Sequence, residues 1–436
     1  MGNIAEQVKM AGIIGAGGAG FPTHVKIGAS ADIVIGNGAE CEPLLRVDQQ
    51  VMACFADKVI DGLKLAMEAT GAKRGVIALK GHYHDAIDKL GAAIGNDPAV
   101  SLHIMKSYYP AGDEQTMVHE ITGKVVPTGG LPLDVGAVVS NVSTLVNISE
   151  AVRSGAPVTD KYVTVGGSVN EPVTLKVPVG TAMEVLIAAA GGTTQESSFI
   201  VGGPCMGIVE DDLKNPVTKT TSGLLALPKG HRLFEKKSPN MSIQRIKAVC
   251  CQCTMCTQMC PRNALGLNVE PHKVMRSIAQ TKDLIEDANG EFSCCDCGIC
   301  TYYACNFGLK PAAAMFSLKN KMNSAGIKPV KEVRYAPDKA IETKRLPVSR
   351  LIGRLGLTAY DVPAPIIEKG IEVDSVRIPL KMHIGAPAVP VVNEGARIEK
   401  GALLAEIAEG KLGARVHASI SGTVTKITPE WIEVRK

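Results

Sequence analysis

The chain has 436 residues, 45% of them hydrophobic, which leaves room for roughly three domains at ~100–200 residues each. A net charge of +4 is too small to argue for nucleic acid or an anionic membrane, and 4% aromatics is too few for base-stacking platforms. No apolar run approaches the roughly 18 residues of a membrane span, and Met1 to Met10 lacks the charged-then-apolar layout of a signal peptide.

Ile4 to Ala11 reads as a short helix and leads into G-A-G-G-A-G-F-P-T at Gly15 to Thr23. Glycines there let backbone N–H groups approach a phosphate, and Pro22 suits the first turn of a following helix. Gly15, Gly17 and Gly20 fit the G-x-G-x-x-G spacing. The context is not that of a Rossmann unit, because no long strand precedes the run and Phe21-Pro22 interrupts the helix that should follow. Alone, the run is a glycine-rich turn.

The next segments alternate as an α/β domain does. Asp32 to Ile35, Gly75 to Leu79, Leu102 to Met105 and Gly136 to Val139 read as strands. Lys58 to Ala69, Asp85 to Ile94 and a stretch ending near Val152 read as helices. Polar loops follow three of the strands, at Asn37 to Pro43, Tyr109 to Glu114 and Ser140 to Leu145, where open α/β sheets place ligand sites. That position makes Glu40, Glu42 and Glu114 candidate site groups.

From Asp160 the texture changes. Tyr162 to Val165 and Val173 to Val177 are β-branched runs around a turn-rich G-G-S-V-N-E-P, a hairpin signal. A helix at Ala182 to Ala190 and a strand at Phe199 to Val201 follow. Cys205, with no basic neighbour in sequence to lower its pKa, reads as a small buried residue.

Ten of the thirteen cysteines lie between Cys250 and Cys305. The first burst supplies Cys250, Cys253, Cys256 and Cys260, followed by Pro261, which is the C-x2-C-x2-C-x3-C-P run of a [4Fe–4S] site. The second supplies Cys294, Cys297, Cys300 and Cys305, with four residues before the last and Asn306 in place of proline. Counting from Cys251 or Cys295 puts Thr254 or Gly298 at the second ligand position, so those two cysteines are not ligands. Zinc also takes four ligands per site, but it does not require this spacing twice with a Cys-Pro. In two-cluster ferredoxins the fourth cysteine of each run crosses to the other cluster. One cluster is therefore expected on Cys250, Cys253, Cys256 and Cys305, the other on Cys294, Cys297, Cys300 and Cys260. Free thiolates in this spacing imply a reducing compartment, and the reading is of a soluble intracellular protein with an electron wire.

Pro271 to Ile285 and Ala312 to Met322 have helical patterns. Asn323 to about Asp374 is rich in Lys, Arg and Pro and reads as a linker with one short helix, Ser349 to Leu355. Val376 to Lys436 alternates short strands and glycine turns, which suggests a small β-barrel or sandwich.

These motifs carry a resemblance. G-A-G-G-A-G-F-P-T, N-x-x-E-x-E-P, G-D-E and N-V-x-T-L occur in the same order in the flavin-binding subunit of respiratory complex I and in RnfC electron-transport subunits, which this chain resembles. The resemblance implies an FMN-binding fold reduced by NADH. Gly15, Gly17, Gly18, Gly20 and Lys26 would hold the FMN, with Asn37, Glu40, Asn141 and Thr144 completing its cradle. Phe21, Glu42 and Glu114 would face the nicotinamide nucleotide, the two carboxylates as catalytic groups. Ala39 departs from the complex I pattern, which has an acidic residue there.

The implied architecture is multidomain α/β plus α+β. It comprises an FMN/NADH-binding domain at 1–155, a β-grasp (SLBB-like) domain at 156–235 and a bis-[4Fe–4S] ferredoxin-like domain at 236–322. A linker at 323–374 and an all-β barrel-sandwich hybrid domain at 375–436 complete it. The last resembles biotinyl and lipoyl domains, but Lys411 in E-G-K-L-G-A does not match a modified carrier lysine, so a packing or docking role is expected.

RnfC subunits usually place the hybrid barrel before the flavin domain, whereas here it comes last. That order, and the four-residue gap in the second cysteine run, resemble the PduS-like cobalamin reductases of propanediol-utilisation microcompartments. The resemblance implies electrons passing from NADH through FMN and two [4Fe–4S] clusters to cobalamin, for re-adenosylation. It implies a cytoplasmic, microcompartment location with an adenosyltransferase and a shell protein as partners, and no nucleic acid. No D-x-H-x-x-G corrinoid-binding pattern occurs, so cobalamin is expected as a transient substrate. The alternative is an RnfC-like electron-transfer subunit with a protein acceptor; a third reading has a dead nucleotide site and a relay role only.

Overall fold

The computed structural model describes residues 3–280 and 288–436. Four strands of the N-terminal domain, β1 (Ile33–Gly38), β2 (Arg74–Lys80), β3 (Val100–Met105) and β4 (Ala137–Asn141), form a parallel sheet in the order β3-β2-β1-β4. Their side chains alternate between two apolar cores, as a period of two requires. Ile33, Ile35, Val76, Ala78 and Val139 meet Met105, Met117 and Val118 on one face. Val34, Ile77, Leu79 and Val138 meet Leu63, Leu90 and Leu145 on the other. Helices Ala56–Thr70 and Val142–Ser154 cover this second face and approach closely, because a Cβ on Gly62 would fall on the Leu145 carbonyl.

This ordering creates the site. The chain leaves β1 for β2 and β3 on one side and returns to β4 on the other, so a topological switch point opens at the C-terminal ends of β1 and β4. Asn37 and Asn141 are register partners there.

A second, six-stranded sheet is built on the expected hairpin, Asp160–Gly167 with Val173–Pro178, beside helix Met183–Ala189. Strands Gly223–Pro228 and Ile208–Glu210 also join it, though neither stands out in the sequence. The cysteine segment is mainly short helices, with Pro311–Ser324 as its longest. Of the helix expected at Pro271 to Ile285, Pro271–Ala279 is observed, and residues 281–285 lie outside the described residues. The C-terminal strands form two facing sheets around Ile378, Leu404, Val424 and Ile432.

The span expected as a linker with one short helix keeps that helix, observed as Val348–Leu355, but is not otherwise a free linker. Leu346 and Pro347 pair antiparallel with Tyr109 and Tyr108, helix Val348–Leu355 buries Leu351, Ile352 and Leu355, and Ile366–Ile367 adds an edge strand to Val173–Pro178. It is a strap across the first two domains. Two-residue pairings carry no periodicity, so nothing in the pattern announces them.

The barrel has the packing role expected of it. The Ile384 N–H donates to Gly20 O at 3.2 Å, so the barrel leans on the glycine run. Lys219 of the second domain donates to Gly12 O at 2.7 Å and to Arg415 O at 2.9 Å, fastening all three units. Among the described residues no helix is long and apolar enough to cross a membrane.

Candidate functional site

The glycine run is a closed loop at the switch point. An Ile14–Pro22 bridge pinches its neck, and the Gly15 N–H donates to Phe21 O at 2.9 Å. Its tip, Gly17, Gly18 and Ala19, is exposed, and Phe21 is half-buried. Ala16 is held on both sides: its N–H donates to Thr144 Oγ1 at 2.9 Å, and Lys161 Nζ donates to its carbonyl at 2.8 Å. A Cβ on Gly17 would lie 2.8 Å from Asn141 Nδ2, so the loop fits against Asn141 only because that side chain is missing. Asn141 has no freedom to yield. Its Nδ2 donates to Asp48 Oδ2 at 2.9 Å, while its Oδ1 accepts from the Ser143 N–H and caps helix Val142–Ser154.

Asn37 Nδ2 donates to Gly112 O at 2.9 Å, which ties the loop after β1 to the one after β3. Lys26 Nζ donates to Val139 O at 3.0 Å and pairs with Glu114 Oε1 at 3.1 Å. The structure thus brings the glycine run, Lys26, Asn37, Glu114, Asn141 and Thr144 together at the C-terminal ends of β1 and β4. Ala39 is fully buried.

Glu40 is 8% exposed and sits at φ +33°, a region few non-glycine residues occupy. Its Oε1 accepts from the Asp48 N–H at 3.1 Å, and its buried Oε2 has no partner. Burial, then the nearby Asp48 carboxylate, pushes Glu40 up to about 7; burial pushes Asp48 up to about 6. Burial thus favours the protonated form of Glu40, whose Oε2 is the oxygen left without a partner. A bare glycine loop, a cation at Lys26 and this carboxyl donor fit a phosphate-bearing ring cofactor such as FMN.

Glu42 departs from the nucleotide role. Its Oε2 accepts from the Cys205 N–H at 2.7 Å and its Oε1 from the Met206 N–H at 3.0 Å, with the Tyr109 hydroxyl 3.2 Å away. Both oxygens are engaged in clamping the second domain to the first. Glu114, with a side chain 43% exposed, is the carboxylate left open beside the cradle. Cys205 is buried as expected.

The two cysteine loops repeat one backbone shape. Gln252 and Thr254 flank Cys253 at φ +56° and +61°, as Asp296 and Gly298 flank Cys297 at +55° and +75°. Thr254 holds a left-handed conformation that β-branched residues avoid, whereas its counterpart is glycine. We expect Thr254→Gly to stabilise the segment by about 0.5–1 kcal/mol, the relieved strain less the added chain entropy. A lowered melting temperature would mean that the bond from Gln258 Nε2 to Thr254 Oγ1, 2.8 Å, matters more.

Burial first, then Cys253, Cys305 and Cys250, pushes the Cys256 thiol up to about 12. Burial first, then Cys260 and Cys256, pushes Cys300 well above its ordinary value. The Cys260 thiolate would likewise oppose ionisation of Cys294 and Cys297. Buried thiols that oppose one another's ionisation become thiolates only around concentrated positive charge, which a metal cluster supplies. Cys305 thus acts electrostatically on Cys256 of the first loop, and Cys260 on Cys300 of the second. Cys295, expected as a non-ligand, is hydrogen-bonded with Cys297 and lies beside Arg262.

Several residues that join cradle to cysteines escape a sequence reading. The Arg262 guanidinium forks onto Asp113, Nε to Oδ2 at 2.8 Å and Nη2 to Oδ1 at 2.6 Å, with both side chains under a tenth exposed. Its Nη1 also donates to Ser293 O at 3.1 Å. The Tyr109 hydroxyl donates to Cys297 O at 2.8 Å. The available signals are local ones: Asp113 stands inside G-D-E, and Arg262 directly follows the Cys-Pro.

A parallel sheet with a glycine cradle at its switch point, fastened to paired C-x2-C-x2-C loops, defines a flavin and iron–sulfur electron-transfer oxidoreductase. Family models agree unit by unit: the Nuo51 FMN-binding domain matches residues 8–150, the SLBB domain 162–209, a 4Fe-4S dicluster domain 249–310 and the RnfC barrel sandwich hybrid domain 363–435. The chain is 42% identical over 439 residues to the cobalamin reductase PduS of Citrobacter freundii and 42% over 440 residues to that of Salmonella typhimurium. Each alignment covers 99% of this chain and 96% of the relative. One component of the Na(+)-translocating ferredoxin:NAD(+) oxidoreductase complex of Acetobacterium woodii is 38% identical over 61% of this chain and 59% of that relative. The chain belongs to the PduS cobalamin reductase family.

Proposed function

We propose that this chain is an NADH-dependent cobalamin reductase that works through FMN and two [4Fe–4S] clusters, inside a bacterial microcompartment. The observation that carries the reading is the direct fastening of the cradle's loops to the cysteine loops, in a chain alike over its whole length to proteins named cobalamin reductases. Bound FMN takes up hydride as an electron pair and clusters carry electrons singly, which is the conversion such a wire needs.

The chain's own residues supply binding and placement. Gly17 and Gly18 let the backbone approach a phosphate, Lys26 supplies positive charge, and Asn37 and Asn141 hold the walls. Glu40 keeps a proton at Oε2 for an acceptor on the cofactor. Glu114 and Phe21 are assigned to the nicotinamide nucleotide, which the exposed Glu114 side chain beside Lys26 supports. Cys250, Cys253, Cys256 and Cys305 hold one cluster, and Cys294, Cys297, Cys300 and Cys260 the other. Cobalamin is met transiently, and an adenosyltransferase and a shell protein are the expected partners.

The test is anaerobic stopped-flow that follows flavin, cluster and cobalamin absorbance in one reaction. A Cys253→Ala/Cys297→Ala double variant should bleach its flavin with NADH at the normal rate and reduce cobalamin at least about tenfold more slowly. If that variant reduces cobalamin as fast as the native chain, the clusters serve a protein acceptor, as in the RnfC-like alternative.

A further inference from the structure

We infer that electrons enter the cysteine segment at the cluster on Cys294, Cys297, Cys300 and Cys260, and leave from the one on Cys250, Cys253, Cys256 and Cys305. This rests on the two-cluster flavoprotein reading above and gives the wire a direction.

The second cysteine loop is the one built into the flavin domain. Cys297 is 8% exposed and shares an apolar core with Leu44, Leu45 and Tyr109 of that domain. The hydroxyl of Tyr109 bonds to the Cys297 carbonyl at 2.8 Å, and three residues on, Gly112 O accepts from Asn37 of the cradle at 2.9 Å. Arg262, two residues after Cys260, is locked to Asp113 of the same loop and to Ser293 O beside Cys294. From the cradle to this cluster's ligands a chain of hydrogen bonds and one ion pair runs through the loop Tyr109 to Asp113.

The first loop has the opposite character. Cys253 is exposed, and Ile243, Met255 and Phe307, close in sequence to Cys250, Cys256 and Cys305, are 49%, 36% and 46% exposed. The apolar core behind this loop, which also takes Cys260 and Cys294, is made almost wholly of the cysteine segment itself, with Val125 as the flavin domain's contribution among the described residues. Electron transfer falls off steeply with distance, so the buried loop suits entry and the exposed one suits exit. Each step moves one electron and forms or breaks no bond; the two electrons of one hydride cross in succession.

A rival exit exists. A cleft of about 1130 Å³ opens beside Cys294 to Cys300, lined by Met206, Ile208 and Phe316. An acceptor seated there would take electrons from the second loop directly and bypass the first.

The experiment uses anaerobically reconstituted holoprotein, mixed with NADH without acceptor and freeze-quenched for EPR of the reduced cluster. In Cys253→Ala the remaining cluster should be reduced as fast as in the native chain. In Cys297→Ala the remaining cluster should be reduced at least about a hundredfold more slowly, although dithionite reduces it fully. The reverse pattern overturns the inference. Tyr109→Phe keeps every cysteine and removes only the hydroxyl that reaches Cys297 O and Glu42 Oε1. It should slow NADH-driven reduction of both clusters together while flavin bleaching stays normal, and an unchanged rate counts against entry at this loop. Cobalamin reduction by Cys253→Ala at the native rate would put the exit at the cleft and overturn the direction alone. A native chain that holds about four iron in place of about eight overturns the two-cluster reading itself, and the inference with it.

Discussion

Gly17→Val is expected to lose FMN, with affinity falling at least about a hundredfold, ~2.7 kcal/mol. A side chain there meets Asn141 Nδ2 at 2.8 Å and its Cγ at 3.0 Å before any cofactor is considered. Asn141 is tied to Asp48 at one end and to the Ser143 N–H at the other, so moving it also frees the start of helix Val142–Ser154. The remaining escape is for the loop tip to lift away from the sheet, which withdraws the backbone from the phosphate. Gly15→Ala is the matched control, because its Cβ meets nothing closer than Phe21 N at 3.7 Å. Flavin content after gel filtration and a fluorescence titration with FMN read both variants. Full occupancy in Gly17→Val would make the loop a structural turn and place the phosphate elsewhere.

The parts legible in the sequence are those in which one stretch of chain carries its own chemistry. The cysteine runs declare iron–sulfur ligation because convergence on a cuboidal cluster dictates spacing, and spacing is visible in a string of letters. The glycine run and the polar loops after β1, β3 and β4 are legible as an ordered set, since each of those loops follows an apolar strand.

What stays hidden is how the units meet. Asp113 and Arg262 are 149 residues apart, Lys161 reaches Ala16 across 145, and Lys219 reaches Gly12 across 207. No local pattern encodes such pairs. Glu42 shows the cost: its motif position suggests a nucleotide contact, and the second domain's backbone N–H groups at Cys205 and Met206 claim both oxygens. The strap is a similar case, because a charged, proline-rich texture reads as solvated linker until the pairing of Leu346 with Tyr109 is seen. Helices Val47–Cys54 and Glu114–Thr122 also escape the sequence reading, as their polar residues mask a narrow apolar stripe.

Arg262→Met should destabilise the protein by about 3–5 kcal/mol, the usual cost of breaking a buried ion pair from one side. The loss is large because Asp113 stays behind as a buried carboxylate, and because the Nη1 bond to Ser293 O goes with it. Asp113→Asn alone leaves the cation stranded but still caps helix Glu114–Thr122, whose Thr116 N–H the Asp113 side chain now accepts at 3.2 Å. The double variant should recover about 2–3 kcal/mol relative to the sum of the singles, since neither charge is then unpaired. High salt should not imitate the single variants, because a pair this buried is screened little. Urea midpoints of the four proteins at low and high salt measure all of this. Arg262→Lys should rescue poorly, as an ammonium cannot fork onto both carboxylate oxygens and reach Ser293 as well. The flavin and cysteine units part at this clasp, so Arg262→Met should also slow NADH-driven cluster reduction while NADH still bleaches the flavin. A destabilisation below about 1 kcal/mol would reduce the pair to an ordinary surface contact and leave the Tyr109 hydroxyl on Cys297 O as the bond between the two units.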